Sequence, residues 1–231
     1  MKNLFLVGVI SLISLSTFAQ NVQKYVGSDR VTFGAKAGTT FATISQEDTK
    51  SITSFYVGGV VNILFSEVFT FQPGLTLVGK GFKKTTSSSL RMPSSGDILN
   101  VTSSFKASPW YLEIPMNAVF NFQAGAGKIF VGGGPYVDLA LFGDYERTIK
   151  QTNTFTGSYS SKTKIDDIDF GEQGDMSSID FGMNFLLGYQ LKNGLSVNAG
   201  YGLGLTNNLT NNYENLSSKN KVFSLGLGFA F

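Results

Sequence analysis

Five charged side chains occur singly in stretches of small, amide and apolar residues, and they are the first candidates for chemistry. Inside a protein, charges of both signs could form a proton or ion path. They could also pair with one another and fill space, because a buried charge is stable only with partners. We favour the second interpretation, a structural cluster. The five residues are Lys36, Lys80, Glu113, Asp138 and Asp180.

The composition removes most kinds of catalytic centre. The chain has no His and no Cys, so it lacks the usual general base, the commonest metal ligand and the base of Ser- or Cys-centred triads. Ser-Lys or carboxylate-only chemistry stays open, but no motif in the sequence indicates it. We therefore predict a protein that is not an enzyme and that uses no cofactor.

An acidic stretch is the one candidate for metal binding. Its carboxylates could offer hard oxygen ligands to Ca²⁺, but their spacing is not that of an EF-hand loop. A solvated loop that faces lipopolysaccharide explains them better, and we predict no metal site. The glycine run at 132–134 lies inside an alternating stretch, so it is not a phosphate-binding loop. The acidic residues are Asp166, Asp167, Asp169, Glu172 and Asp175.

These residues must be positioned by β-strands, because the hydrophobic period from residue 31 onward is two. Eight alternating runs are each about 10–14 residues long, which exceeds a typical soluble strand and suits a tilted membrane strand. The runs are residues 31–43, 55–65, 69–80, 110–122, 129–141, 179–190, 195–206 and 222–231.

The two faces of each run differ in charge. One face carries Gly, Ser, Thr and Asn with the five isolated charges, and the other carries no Asp, Glu, Lys or Arg. A soluble barrel with its apolar face inward also alternates, but its solvent face would be rich in Lys and Glu. A charge at the lipid midplane costs roughly 2–4 kcal/mol. The pattern therefore predicts an all-β fold, an eight-stranded antiparallel up-and-down transmembrane β-barrel with a narrow, polar-plugged lumen.

The connections between the runs alternate in length. All the short turns fall at one end of the barrel and all the long polar loops at the other, as in outer-membrane barrels with periplasmic turns and outer loops. The short turns are residues 66–67, 123–127 and 192–194. The long loops are residues 46–54, 83–108, 144–178 and 207–220. Three prolines inside the runs are predicted to mark bulges or strand ends; they are Pro73, Pro115 and Pro135.

Aromatic side chains gather near both ends of the uncharged face, as in the girdles of membrane barrels. A soluble core filled by the same rings is the alternative. The girdle at the short-turn end contains Phe33, Phe65, Phe69, Phe120, Phe122, Tyr189, Phe229 and Phe231. The girdle at the long-loop end contains Phe41, Phe55, Trp110 and Phe181.

The N-terminal residues have the features of a secretory signal peptide. Lys2 precedes an apolar segment that is too short to span a membrane, and Thr17-Phe18-Ala19 provides the small residues of a cleavage site. A retained N-terminal anchor is the alternative. We expect a cleaved signal at residues 1–19 and one barrel domain at 20–231, located in the bacterial outer membrane. The formal net charge of +2 predicts no nucleic-acid partner.

Four short motifs resemble, in order, those of the PorT-like outer-membrane β-barrel family of Bacteroidetes-type bacteria, small barrels of the OmpX/OmpW type. They are residues 33–38, 71–75, 111–115 and 133–136. The resemblance covers essentially the whole mature chain and brings no catalytic residues with it. The namesake of the family is associated with protein secretion and gliding. The terminal Phe231 resembles the C-terminal aromatic signal that the barrel assembly machinery reads.

Three functions stay open. In the first, a non-enzymatic barrel sits among outer-membrane lipid and lipopolysaccharide. Its long extracellular loops recognise a cell-surface partner, or it supports membrane integrity or a secretion system. In the second, the protein is a passive conduit or binding protein for a small apolar molecule that passes a lateral gap between strands. In the third, it is an outer-membrane hydrolase without His, which no motif supports.

The barrel interpretation predicts heat-dependent mobility on SDS gels. A folded membrane barrel unfolds slowly enough to survive SDS without heating, so the unboiled protein should migrate differently from the boiled protein. Cell fractionation should place it in the outer membrane. Recovery in the soluble periplasm, with the same mobility before and after boiling, would contradict the interpretation.

Overall fold

The computed structural model describes residues 30–91, 98–153, 157–210 and 218–231, so the predicted signal peptide lies outside the described residues. No helix in these ranges is long and apolar enough to cross a membrane. The regular elements are β1 (Val31–Ile44), β2 (Thr49–Lys50), β3 (Ile52–Leu64), β4 (Phe69–Gly79), β5 (Phe82–Arg91), β6 (Ile98–Ala124), β7 (Gly127–Asn153), β8 (Gly157–Asp167), β9 (Ile179–Leu191), β10 (Leu195–Gly204) and β11 (Asn220–Ala230).

Eight strands close into a ring of antiparallel pairs in the order β1, β3, β4, β6, β7, β9, β10 and β11. The closing pair, β1 with β11, runs in register from Gly34↔Ala230 to Ile44↔Asn220. A closed ring leaves no strand edge unpaired, which is the condition for placing strands in hydrocarbon. The predicted eight-stranded antiparallel barrel is confirmed.

The uncharged face of the ring points outward, as predicted. Phe55, Val57 and Leu75 are 62%, 56% and 51% exposed on the outside, and the polar residues between them line the interior. Among the described ring strands, Lys221 is the one charged residue on the outer face. It lies at the long-loop end of β11, where a lysine stem can lie along lipid while its ammonium stays in water.

Outward aromatic side chains contact one another at both ends of the ring. At the short-turn end, Phe69 lies between Phe65 and Phe120, with centroid distances of 5.7 and 5.4 Å. At the long-loop end, Trp110 stacks on Phe142 at 6.1 Å. These contacts agree with two aromatic girdles, since rings prefer the membrane interface.

Two of the predicted long loops are strands instead. β6 and β7 are each 27 residues long and continue beyond the ring, where β5 pairs with β6 and β8 pairs with β7. Residues 83–108 and 144–178 therefore supply most of a four-stranded outer sheet, formed by β5, residues 98–107 of β6, residues 143–153 of β7, and β8. The sequence concealed most of this sheet because polar residues predominate on its strands and weaken the hydrophobic period, although residues 98–107 do carry apolar residues at most odd positions. The loop predicted at 46–54 likewise contains β2 and the start of β3.

The prediction that three prolines mark bulges or strand ends is wrong. Some pairs next to them are missing from the β4–β6 and β6–β7 ladders, because proline has no N–H to donate, but the register is the same on both sides. The register shift between β6 and β7 lies elsewhere, at Trp110/Tyr111, where the outer sheet leaves the ring. The proline pairs are Pro73↔Met116, Pro115↔Tyr136 and Pro135↔Met183.

Glycine on the inner face makes room for aromatic rings on the neighbouring strand. A Cβ at Gly182 would lie 2.3 Å from the Tyr136 ring and 2.3 Å from the Leu203 carbonyl oxygen. Alternation of large and small side chains of this kind fills the interior of a small barrel. The pairs of glycine and ring are Gly38↔Tyr56, Phe130↔Gly188 and Tyr136↔Gly182.

Gly182→Ala should therefore destabilise the barrel by about 1–3 kcal/mol, the usual cost of overpacking. The matched control is Gly59→Ala on the outer face, where the added Cβ would meet only the Gly34 carbonyl oxygen at 3.7 Å. Urea unfolding in detergent measures both variants. Equal midpoints for the two variants would contradict this packing.

Candidate functional site

The strand register brings the predicted charges into one band of the lumen. Residues that pair on neighbouring strands lie on the same face of the sheet, so the side chains of all the successive partners in this band point into the barrel. Because strands tilt in a closed barrel, the band climbs from Lys36 near the short-turn end to Asp180 at the long-loop end. The successive pairs are Lys36↔Gly58, Gly58↔Thr76, Thr76↔Glu113, Glu113↔Asp138 and Asp138↔Asp180.

Lys80 lies at the centre of these charges, directly after β4. Its Nζ donates to Asp138 Oδ2 at 2.5 Å and to Glu113 Oε2 at 3.2 Å. It also lies 4.4 Å from the centroid of the Tyr136 ring and 5.8 Å from that of Tyr111. Two carboxylates and two aromatic faces thus give a buried ammonium the partners that it needs. We call these five residues the lysine cluster.

Asp180 joins the lysine cluster through neutral donors. Its Oδ2 accepts hydrogen bonds from Asn220 Nδ2 at 2.9 Å and from the Tyr136 hydroxyl at 3.5 Å, and its Oδ1 accepts one from the Thr206 hydroxyl. Tyr136 contacts Lys80 with its ring and Asp180 with its hydroxyl, so it links the two carboxylate environments. Three ring strands, β7, β9 and β11, are tied together at this level.

Lys36 stands apart from the other four predicted charges. Its Nζ lies 5.8 Å from the centroid of the Tyr56 ring, and within the described ranges it forms no ion pair. The Tyr56 hydroxyl in turn donates to Asn198 Oδ1 at 2.9 Å. The structure therefore brings together Lys80, Glu113, Asp138 and Asp180, and leaves Lys36 on the wall of an open space.

That space is a cavity of about 600 Å³, the lumen cavity, between the lysine cluster and the short-turn end. Its wall runs from the turn at 192–194 and Phe231 up to Lys80 and Glu113. Side-chain amides are the commonest polar groups on the wall. They include Asn62, Gln72, Asn117, Asn121, Gln123, Asn184, Gln190 and Asn198.

On the other side of the lysine cluster, an apolar cap covers the long-loop end. Residues 168–176 cross the lumen there, held by bonds from Gly171 N to Met176 O at 2.9 Å and from Ser177 N to Asn208 O at 2.8 Å. No cap residue is part of the lumen cavity wall as described. The buried cap residues are Ile44, Phe82, Ala107, Tyr145, Ile168 and Met176. From the position of these buried residues we infer that the lysine cluster and the cap together close the outer end.

The acidic stretch lies in this cap loop. Asp175 N donates to the Asp169 carbonyl oxygen at 2.8 Å, so these two residues help to close the loop upon itself. The side chain of Asp166 lies outside the described residues. In the part of the chain that the structure describes, no group of three or more His, Cys, Asp or Glu residues could hold a metal ion.

The sequence reasoning missed the tyrosines and the cap. Tyr111 and Tyr136 share the inward parity of Glu113 and Asp138, so two bulky aromatic residues on the polar face were the available signal. The cap had no such signal, because its residues come from separate connections and have no common period.

Lys80→Met should lower the free energy of unfolding by about 3–5 kcal/mol, because it leaves Glu113 and Asp138 buried without their cation. Adding Glu113→Gln and Asp138→Asn to this variant should restore much of the loss. The control is Lys83→Met, at an exposed position near the start of β5 in the outer sheet. It should change the free energy of unfolding by less than about 0.5 kcal/mol. Urea unfolding tests the set, and equal effects of the two single variants would refute a central role for Lys80.

A search of curated sequences gave no match. Similar solved structures include Ail, the attachment invasion locus protein of Yersinia pestis, in complex with the heparin analogue sucrose octasulfate (12% identity, 87% of this chain, 99% of that chain, TM-score 0.38). Neisserial surface protein A is also similar, with 14% identity over 86% of this chain and 97% of that chain and a TM-score of 0.38.

A third similar structure is the translocator domain of the autotransporter NalP from Neisseria meningitidis, with 12% identity over 96% of this chain and 98% of that chain and a TM-score of 0.29. The family model described as outer membrane protein beta-barrel domain matches residues 18–210, which is more than half of the chain. The chain therefore belongs to this family of outer-membrane β-barrels, and its place is the bacterial outer membrane.

Proposed function

We propose that this protein is a non-enzymatic recognition barrel whose outer sheet binds anionic glycans at the cell surface. The observation that carries the proposal is the outer sheet itself. It continues the ring strands past the apolar cap, from Phe82↔Ala107 to Arg91↔Ile98 in one hairpin. At about 3.3 Å per residue, these ten residues reach roughly 30 Å from the ring.

The outer sheet is rich in groups that bind sugars and their anionic substituents. Hydroxyls and amides pair across its strands, with Thr85 Oγ1 and Ser104 Oγ 3.1 Å apart, and Ser89 Oγ donating to Asn100 Oδ1 at 2.5 Å. Such polar groups recognise hydroxyl-rich ligands by hydrogen bonds. Such a ladder of hydroxyl and amide side chains is unsuited to contact with lipid or with an apolar core.

Basic residues outnumber acidic ones on the described part of the sheet. One ion pair, Lys162 Nζ with Glu146 Oε2 at 2.8 Å, uses one of these cations. The surplus positive charge would attract phosphate or carboxylate groups over about one Debye length. The basic residues are Lys83, Lys84, Arg91, Lys106, Arg147, Lys150 and Lys162, and the acidic ones are Asp144, Glu146 and Asp167.

A conduit for a small apolar molecule has less support. The wall of the lumen cavity carries many side-chain amides and several lysines, which suit a polar ligand better than an apolar one, and the lysine cluster and the cap lie across its outer end. The resemblance to the PorT-like family implies an accessory role in a secretion system. In that role the outer sheet would bind a protein partner and not a glycan. We also propose that the terminal Phe231 is the aromatic signal that the barrel assembly machinery reads.

Dextran sulfate is the probe for glycan binding, with neutral dextran as its matched control. The protein in nanodiscs should bind dextran sulfate in preference to dextran, and binding should weaken as salt rises. Lys106→Glu should weaken it several-fold, because it replaces an attractive charge by a repulsive one. Lys192→Glu, at the opposite end of the barrel, makes the same change in net charge and should have little effect.

Three results would count against recognition by the outer sheet. They are equal binding of the two dextrans, equal effects of the two lysine variants, and stepwise conductance when the protein is placed in a planar bilayer. Stepwise conductance would favour a channel.

A further inference from the structure

The lumen cavity has the size and enclosure of a ligand pocket, independent of anything the outer sheet does. A volume of about 600 Å³ falls within the range of roughly 300–1,000 Å³ typical of small-molecule sites. The wall reaches the turn at 192–194, while the lysine cluster and the apolar cap close the other end. A small molecule would therefore enter from the periplasmic side.

Charge on the cavity wall is mostly positive. Glu113 carries the one side-chain carboxylate among the described wall residues, and it is already bound to Lys80. Asp138 and Asp180 lie beyond the wall, where they accept hydrogen bonds from their own partners. Lys36 faces the cavity with no ion pair in the described chain. Glu113 is close enough for its charge to act on Lys36, but an enclosed ammonium that forms no ion pair still attracts a further anion, because little water screens it.

Two buried polar groups on the wall of the same cavity also have no partner. Thr76 Oγ1 and Asn117 Oδ1 belong to side chains that are 2% and 3% exposed, and neither atom has a hydrogen-bond partner. Both residues line the cavity. Only Gly58 separates Lys36 from Thr76 in the register. Buried polar atoms are rarely left unpaired, so these groups are ready to bind a polar ligand.

We propose that the lumen cavity binds a small organic anion, whose carboxylate or phosphate group is held by the Lys36 ammonium and the Thr76 hydroxyl, while Asn117 Oδ1 accepts a hydrogen bond from a donor group elsewhere on the ligand. The ammonium supplies charge, and the hydroxyl donates a hydrogen bond to an anionic oxygen. Val60, Val78 and Val119 also line the wall, so a short carbon frame would find apolar contacts that an inorganic ion would not use. This site goes beyond the recognition proposed for the outer sheet.

A pair of nitroxides of nearly equal size tests the charge preference. Carboxy-PROXYL is an anion, and carbamoyl-PROXYL is neutral. In NMR spectra of the protein in nanodiscs, carboxy-PROXYL should broaden the amide signals of Lys36, Thr76 and Asn198 about tenfold more efficiently than carbamoyl-PROXYL, as expected for one charge-assisted hydrogen bond. Signals of the outer-sheet strand β5 report any general attraction.

Variants separate the site from its fold. Lys36→Met should abolish the preference for the anionic probe, and Lys36→Arg should keep it, while both retain the mobility shift on boiling. The proposal fails if the two probes broaden the lumen signals equally. It also fails if the preference survives in Lys36→Met, or if only the outer-sheet signals respond. Loss of dextran sulfate binding would bear on the outer sheet and leave this site untouched.

Discussion

Pairing of backbone N–H and C=O groups is the constraint on which this structure depends. In hydrocarbon, an unpaired strand edge costs several kcal/mol per group, so β1 must meet β11 and the sheet must close. Closure with eight strands makes a narrow interior. Inner positions then accept a large ring only opposite a glycine, as Tyr136 lies opposite Gly182, and isolated charges only where they can pair.

The lysine cluster follows from that narrow interior. Strand tilt and a continuous register carry Glu113, Asp138 and Asp180 along one rising line, and Lys80 reaches them from the end of β4. Their pairing divides the molecule into two compartments. Below it lies the lumen cavity, which reaches the short-turn end, and above it lie the apolar cap and the outer sheet. The two proposed activities use different compartments and need no passage between them.

The barrel was predictable because period two and an uncharged face are properties of the sequence alone. The outward residues Phe55 and Val57 alternate with the inward residues Tyr56 and Gly58. The outward face carries no charge because it contacts lipid. The outer sheet was not predictable, since Thr85 and Ser87 alternate with residues of equal polarity. The grouping of Lys80 with Asp138 and the separation of Lys36 depend on register and tilt, which a pattern along one strand does not contain. The prolines misled because a missing N–H removes single pairs without changing register.

Accessibility of single cysteines to a membrane-impermeant thiol reagent tests the sealed outer end most directly, since the natural chain has no Cys. Ser87→Cys lies on the exposed face of the outer sheet, and Ser224→Cys lies on the lumen cavity wall. The account predicts that intact cells label the first at once and the second only after the outer membrane is opened. Equal labelling of both in intact cells would contradict it.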